Sequence, residues 1–139
     1  MTIDGLTDED ISGILARTRR IAVVGASNKP DRPSHGVLGF LVARGYDVIP
    51  VNPALAGQLI HGRAVVATLE EAAPLDLVDI FRAADQVGPL VDEAIRLGAK
   101  TIWMQLGVIN RDAAAQARAA KLTVVMDRCP RIEMARLMP

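Results

Sequence analysis

A chain of 139 residues that carries 16 basic and 16 acidic side chains has a formal net charge of zero and no long block of one sign. This excludes the broad positive field that nonspecific nucleic-acid binding draws on. Half of the residues are apolar but only 3% are aromatic, so the core must be built from Val, Ile, Leu, Ala and Met, the composition of parallel strands buried between helices.

One domain of this length, residues 1–139, buries roughly two thirds of the surface its unfolded chain exposes and needs no staples. The single Cys129 has no partner for an internal disulfide, which suits a reducing compartment. No apolar stretch approaches the ~20 residues of a membrane span. The amino terminus, MTIDGLTDED, is acidic where a signal peptide is basic and then apolar. A soluble cytoplasmic protein with no membrane partner is the expectation.

Thr7 caps a predicted helix that runs from Asp8 to about Arg17, with Asp8, Glu9 and Asp10 favourably placed in its first turn. This helix packs on the domain as an amino-terminal flap within residues 1–19. RIAVVG (20–25) is an apolar, β-branched run ended by glycine. A helix follows over Ser34 to Arg44, with Val37, Leu38, Leu41 and Val42 on one face and Gly45 beyond its end. YDVIPVNP (46–53) is the second strand, residues 57–62 read as loop, and RAVVATL (63–69) reads as a short third strand or extended segment.

LVDIF (77–81) is a strand apolar on both faces, and the helix after it runs from about Gly88 to Leu97, with Pro89 in its first turn and Gly98 after it. KTIWMQ (100–105) is the next strand, Asn110 caps an Ala-rich helix over Arg111 to Ala120, and LTVVM (122–126) is the last strand, with a short helix around Ile132 to Leu137. Strands alternating with helices across short connections predict right-handed βαβ crossovers. The fold class is α/β: a Rossmann-like, doubly wound parallel sheet of five to six strands with helices on both faces.

In such a sheet, ligands bind beyond the carboxyl ends of the strands, where the strand order reverses. The rule nominates Gly25-Ala26-Ser27-Asn28-Lys29-Pro30, Asn52-Pro53, Phe81-Arg82-Ala83 and Gln105-Leu106-Gly107 as the walls of one crevice. The first of these loops precedes a helix whose amino end offers unpaired N–H groups and the positive end of a dipole, a setting that suits phosphate. Lys29, Arg32 and His35 add charge at the same mouth.

A dinucleotide site expects G-x-G-x-x-G at this turn and an acid at the end of the second strand for the ribose hydroxyls. Neither is present, since Gly25 is followed by Ala26 and Ser27 and the strand ends in Asn52. A 2′-phosphate excuses the missing acid, so NADP is weakened less than NAD. A ligand whose ribose carries a phosphate fits better, because Lys29 or Arg32 can pair with that group. Coenzyme A carries one at the ribose 3′ position.

Taken in order, VVGASNKP, VIPVNP, LVDIFR, IWMQLGVIN and VVMDRCPRIE resemble the small stand-alone CoA-binding proteins, whose single domain is similar to the amino-terminal domain of the succinyl-CoA synthetase alpha subunit. The resemblance runs from about Arg20 to Leu137 and implies coenzyme A or an acyl-CoA as the ligand. By motif it places Gly25, Ala26, Ser27 and Lys29 around the phosphates and puts Asn52 and Pro53 at the nucleotide end; Pro30 of the same loop and Arg32, as a cation at its mouth, join the candidate set. Phe81, Arg82 and Ala83 line the path beneath, and Val87 is a lesser candidate for the same wall. On physical grounds Ser27 donates a hydroxyl, Lys29 supplies a point charge and Arg82 a fork.

No catalytic constellation emerges. His35 and His61 have no clear carboxylate partner in the sequence and read as surface or ligand-adjacent groups. Cys129, within Asp127-Arg128-Cys129-Pro130-Arg131, reads either as a structural residue or as a thiol-exchange site, which includes a mixed disulfide with CoA. Two His and one Cys, scattered, do not make a metal site. Trp103 and Met104 read as core or wall. Asp76, Asp79 and Glu93 read as caps, strand-end groups or solvated charges.

The expectation is a CoA-binding protein without catalysis of its own. The alternatives are an NADP-binding oxidoreductase fragment or regulator, and a CoA-supplying subunit of an acyl-CoA synthetase-like complex. Expected partners are the small CoA ligand, with a homo-oligomer or an acyl-CoA enzyme left open.

Overall fold

The computed structural model describes residues 2–138. Its elements in chain order are α1 (Asp8–Arg17), β1 (Arg20–Val24), α2 (Pro33–Ala43), β2 (Asp47–Val51), β3 (Leu59–Ile60), β4 (Arg63–Ala64), α3 (Leu69–Ala72), β5 (Leu77–Ile80), α4 (Val87–Arg96), β6 (Thr101–Met104), α5 (Arg111–Ala119), β7 (Thr123–Met126) and α6 (Pro130–Leu137). The caps form as the side chains dictate. Thr7 accepts from the Asp10 N–H while Asp10 accepts from the Thr7 N–H, and the Asn110 side chain accepts from the Ala113 N–H.

β2, β1, β5, β6 and β7 lie in that order in one sheet, and every neighbouring pair is parallel. The chain steps from β1 outward to β2 and then crosses back over β1 to β5, so the strand order reverses between β1 and β5. The alternation of side chains along each strand divides the core. Ile21 and Val23 of β1, with Leu77, Trp103 and Val125, pack under α1, α2 and α6. Ala22 and Val24, with Val78, Ile80, Ile102, Met104 and Val124, pack under α3, α4 and α5. Both faces of the sheet are covered, which is why its strands are apolar throughout.

The segment 63–69 departs from expectation. Arg63 and Ala64 pair antiparallel with Ile60 and Leu59 around His61-Gly62, both at positive φ (49° and 78°), the backbone of a tight two-residue hairpin. Only Val66 reaches the main sheet, as a single bridge to Val51. The reason lies in β2, whose outward-facing Pro50 carbonyl accepts from the Val66 N–H at 3.0 Å. Proline lacks the N–H that would continue this ladder, so it ends a sheet rather than extending it. Thr68 then caps α3 by accepting from the Glu71 N–H at 3.2 Å. Two helices also begin earlier than the sequence suggests: α2 at Pro33 and α6 at Pro130, each with proline in its first turn, where a missing N–H costs nothing.

Candidate functional site

The site begins with Gly25. Its φ of +86° turns the chain sharply off β1, and its N–H donates to the Val51 carbonyl at 3.1 Å. Across the strand-order reversal, Phe81 donates its N–H to the Val24 carbonyl at 2.8 Å. The two turns therefore meet: a Cβ on Gly25 would lie 2.3 Å from the Phe81 carbonyl oxygen, so only glycine fits.

Asn52 holds the loop from the β2 side. Its amide nitrogen donates to the Ala26 carbonyl at 2.8 Å and its oxygen accepts from the Ala54 N–H at 2.9 Å. An aspartate here could not donate to Ala26, which gives the uncharged residue at this strand end a structural reason. Farther along the loop, Ser27 Oγ accepts from the Lys29 N–H at 3.1 Å, and the Asn28 amide donates to Gln58 at 3.2 Å.

The loop leads to α2, whose cap residue Arg32 supplies no side-chain hydrogen bond. The first turn of this helix thus has no side-chain acceptor, which leaves its positive dipole end open to an anion.

Beneath these turns lies a cavity of about 740 Å³ that extends along the carboxyl ends of the strands, from Asn52, Ala54 and Leu55 past Gly25 and Phe81 to Gln105, Leu106 and Cys129. Its lining includes Lys29, Arg32 and Arg82 and no aspartate or glutamate. None of those cations forms an ion pair among the described residues. At the start of α2, Pro33 has no N–H and the His35 N–H donates to the Arg32 carbonyl at 3.1 Å, so the free donor of this turn is the Ser34 N–H; with unpaired positive charge and an apolar floor it suits a ligand with a polyanionic head and a less polar tail.

Of the sequence-predicted residues, Gly25, Ala26, Ser27, Lys29, Arg32, Asn52, Phe81 and Arg82 line this cavity. Pro53 lines a smaller adjoining hollow together with Gly25, Asn52 and Arg82. Pro30 and Ala83 are exposed and lie outside both linings. Val87 is a correction: it opens α4, is fully buried and belongs to the core beneath that helix.

Asp79 is a second correction, since it is a core group rather than a solvated one. It is fully buried in β5, in register between Val23 and Trp103. Burial pushes its carboxyl well above the usual range. The Gln105 amide nitrogen, turned toward it, donates to Oδ1 at 2.8 Å and Oδ2 at 3.2 Å. Since Gln105 also lines the cavity, this pair joins the cavity floor to the core. Asp76, by contrast, is the strand-end group expected, accepting from the N–H groups of Arg19 and Arg20.

Ser34, Val37, Val108 and Ile132 line the same cavity without a signal in the sequence, where Ser34 marks only a helix start. His35 and His61 face each other, Nδ1 to Nε2 at 3.3 Å, and tie the β3–β4 hairpin to α2. Among the described residues no cluster of His, Cys, Asp and Glu could hold a metal ion, and no helix is long and apolar enough to cross a membrane.

Comparison with known proteins places the chain in a family. The protein YneT of Bacillus subtilis, itself described as uncharacterized, is 38% identical over 126 residues, 91% of this chain and 93% of its own length. A hypothetical protein from Pyrococcus horikoshii is 41% identical and superimposes with a TM-score of 0.93 over 100% of this chain and 97% of that one. A more distant likeness, a Rex-family repressor in complex with β-NADH, is 19% identical with a TM-score of 0.57, over 83% of this chain and 57% of that one; it shares the fold alone. The family model described as the CoA binding domain matches residues 19–135, from the start of β1 through most of α6, and the chain therefore belongs to the CoA-binding domain family.

Proposed function

We propose that this protein binds coenzyme A or an acyl-CoA in the crevice at the carboxyl ends of β1 and β5, without catalysis of its own. The observation that carries the reading is the cavity lining: Lys29, Arg32 and Arg82 unpaired at a mouth without carboxylates, beside the uncapped first turn of α2. Membership of the CoA-binding domain family supports the same ligand. A cavity of about 740 Å³ is of the size that buries most of a small ligand.

In this reading the nucleotide phosphates lie against the Gly25–Arg32 loop. Lys29 supplies a point charge and Arg82 a fork, the two ways in which basic side chains hold phosphate. Asn52 keeps the loop in place rather than reading the ribose, because both ends of its amide are already engaged. Phe81, Leu106 and Val108 offer the apolar surface along which the pantetheine arm lies.

Lys29→Glu and Arg82→Glu test the assignment. Both residues are exposed, so the variants stay folded, and each should weaken CoA about tenfold or more, the worth of one charge-assisted contact. The residue that meets the 3′-phosphate is the one whose reversal weakens CoA more than dephospho-CoA in calorimetric titrations. Unchanged CoA affinity in both variants would refute the phosphate site.

A further inference from the structure

The binding role leaves the Cys129 thiol without a use. Cys129 lines the ligand cavity, is 8% exposed, and occupies the cap position of α6 without any side-chain hydrogen bond to the first turn. A lone thiol is not in itself a site; a second group makes it one.

Ser34 is only 4% exposed and lines the same cavity. Its hydroxyl has no hydrogen-bond partner among the described residues, yet no fully enclosed side-chain polar atom lacks a partner, so the hydroxyl opens into the cavity. A hydroxyl that opens into the cavity without a protein partner is free to donate to or accept from a ligand amide. Ser34 lies in the first turn of α2 and Cys129 caps α6, and the two helices lie side by side: the Arg131 guanidinium stacks 5.5 Å from the Phe40 ring centre.

The order of the strands sets the distance. β7, which delivers Cys129, is three places from β1, which delivers the basic loop. With neighbouring strands about 4.8 Å apart, the two lie about 14 Å from each other across the sheet. A ligand whose phosphates sit at Lys29 can reach Cys129 with the far end of an extended arm. Between them the lining is Phe81, Gln105, Leu106 and Val108, an apolar corridor with isolated hydrogen-bonding groups. Coenzyme A has that layout: phosphates at one end, an amide-bearing arm, and a thiol at the other.

Resting on the CoA reading above, we infer that Cys129 is a site of reversible mixed-disulfide formation with coenzyme A, and that CoA disulfide is the stoichiometric reactant. The Cys129 thiolate attacks one sulfur of CoA disulfide. The bond between Cys129 Sγ and that sulfur forms as the original S–S bond breaks, and the second CoA departs as a thiolate. The proton from Cys129 passes to solvent and is balanced by protonation of the departing thiol. The disulfide itself is the oxidant, so no other is needed, and a thiol reductant reverses the step.

Wild-type protein incubated with CoA disulfide or, separately, with glutathione disulfide at equal concentration tests this by intact mass and peptide mapping. The expected result is one CoA adduct on the Cys129 peptide, removed by dithiothreitol. It should form about tenfold or more faster than the glutathione adduct, because binding makes the exchange effectively intramolecular, and excess CoA analogue lacking the terminal thiol should slow it. Cys129→Ser should form no adduct with either disulfide while unfolding within a few degrees of wild type, since serine is itself a good cap. Absence of the adduct, or equal rates with both disulfides and no slowing by the analogue, overturns the inference even where calorimetry finds CoA bound. Absence of CoA binding in calorimetry overturns the underlying reading as well.

Discussion

Gly25→Ala is expected to lower the stability of the protein by about 3 kcal/mol and to abolish CoA binding. An L-residue held at positive φ costs about 1–2 kcal/mol by itself, and the new methyl would stand 2.3 Å from the Phe81 carbonyl oxygen and 3.1 Å from its carbonyl carbon. These are backbone atoms and cannot rotate away. Relief requires that β1 and β5 separate where the strand order reverses, against the 2.8 Å bond from Phe81 N–H to the Val24 carbonyl. For a domain of this size such a loss lowers the thermal midpoint by about 10 °C. A loss below about 0.5 kcal/mol in urea unfolding, with CoA affinity retained, would show that the turn does not depend on glycine.

Arg128→Met is expected to cost more, about 3–5 kcal/mol, the usual penalty for stripping one partner from a buried ion pair. Arg128 Nε and Nη2 donate to Asp4 at 2.8 and 3.0 Å, and Nη1 donates to Glu133 at 2.6 Å. The side chains of Asp4 and Glu133 are 0% and 8% exposed. Glu133 keeps a second partner in Arg136, whereas Asp4 would retain only Thr2 and the backbone N–H groups of Leu6 and Met126. The lost bonds clasp the amino-terminal segment to β7 and α6, and the Arg128 carbonyl also accepts from Trp103 Nε1 at 2.8 Å, so the variant loosens the segment that presents Cys129.

The same network fixes the acid limit. Burial alone would raise the Asp4 carboxyl, but Arg128 and the N–H groups of Leu6 and Met126 outweigh it and hold the group at about 2. A carboxyl depressed below its unfolded value stabilises the fold above that unfolded value and loses this contribution as pH falls through the folded one. Wild-type stability should therefore decline between about pH 4 and pH 2, a window set by the ordinary 3.8 and the shifted value, and this slope should flatten in Arg128→Met. A midpoint change at neutral pH equivalent to less than about 1 kcal/mol would mean that the pair is not part of the folding energetics.

The strands were legible because each is a short apolar run ended by a turn residue, as in RIAVVG and VIPVNP. Both faces of the sheet are covered, so no polar alternation obscures the runs. The crevice was legible for the same reason, since the residues after β1, β2, β5 and β6 line it by topology rather than by contact. The β3–β4 hairpin was not, because its strands are two residues long and its shape depends on His61 taking a positive φ, which nothing local demands. Val87 precedes the helix start that Gly88-Pro89 suggests in sequence, whereas α4 begins at Val87 and buries it. The clasp between Asp4 and Arg128 joins positions 124 apart, and no local pattern announces such a contact. Ser34 announces a helix start in sequence, and its unpaired hydroxyl becomes visible only once α2 and the cavity share a wall.

The most direct measurement is calorimetric titration of the purified protein with CoA, dephospho-CoA, acetyl-CoA, NAD and NADP at one fixed salt concentration, since exposed ionic contacts are screened by salt. The account predicts that CoA binds more tightly than NADP and that loss of the 3′-phosphate weakens it. Clear NADP binding with none for CoA would contradict it, and would make the crevice a dinucleotide site on a scaffold shared with the CoA-binding domain family.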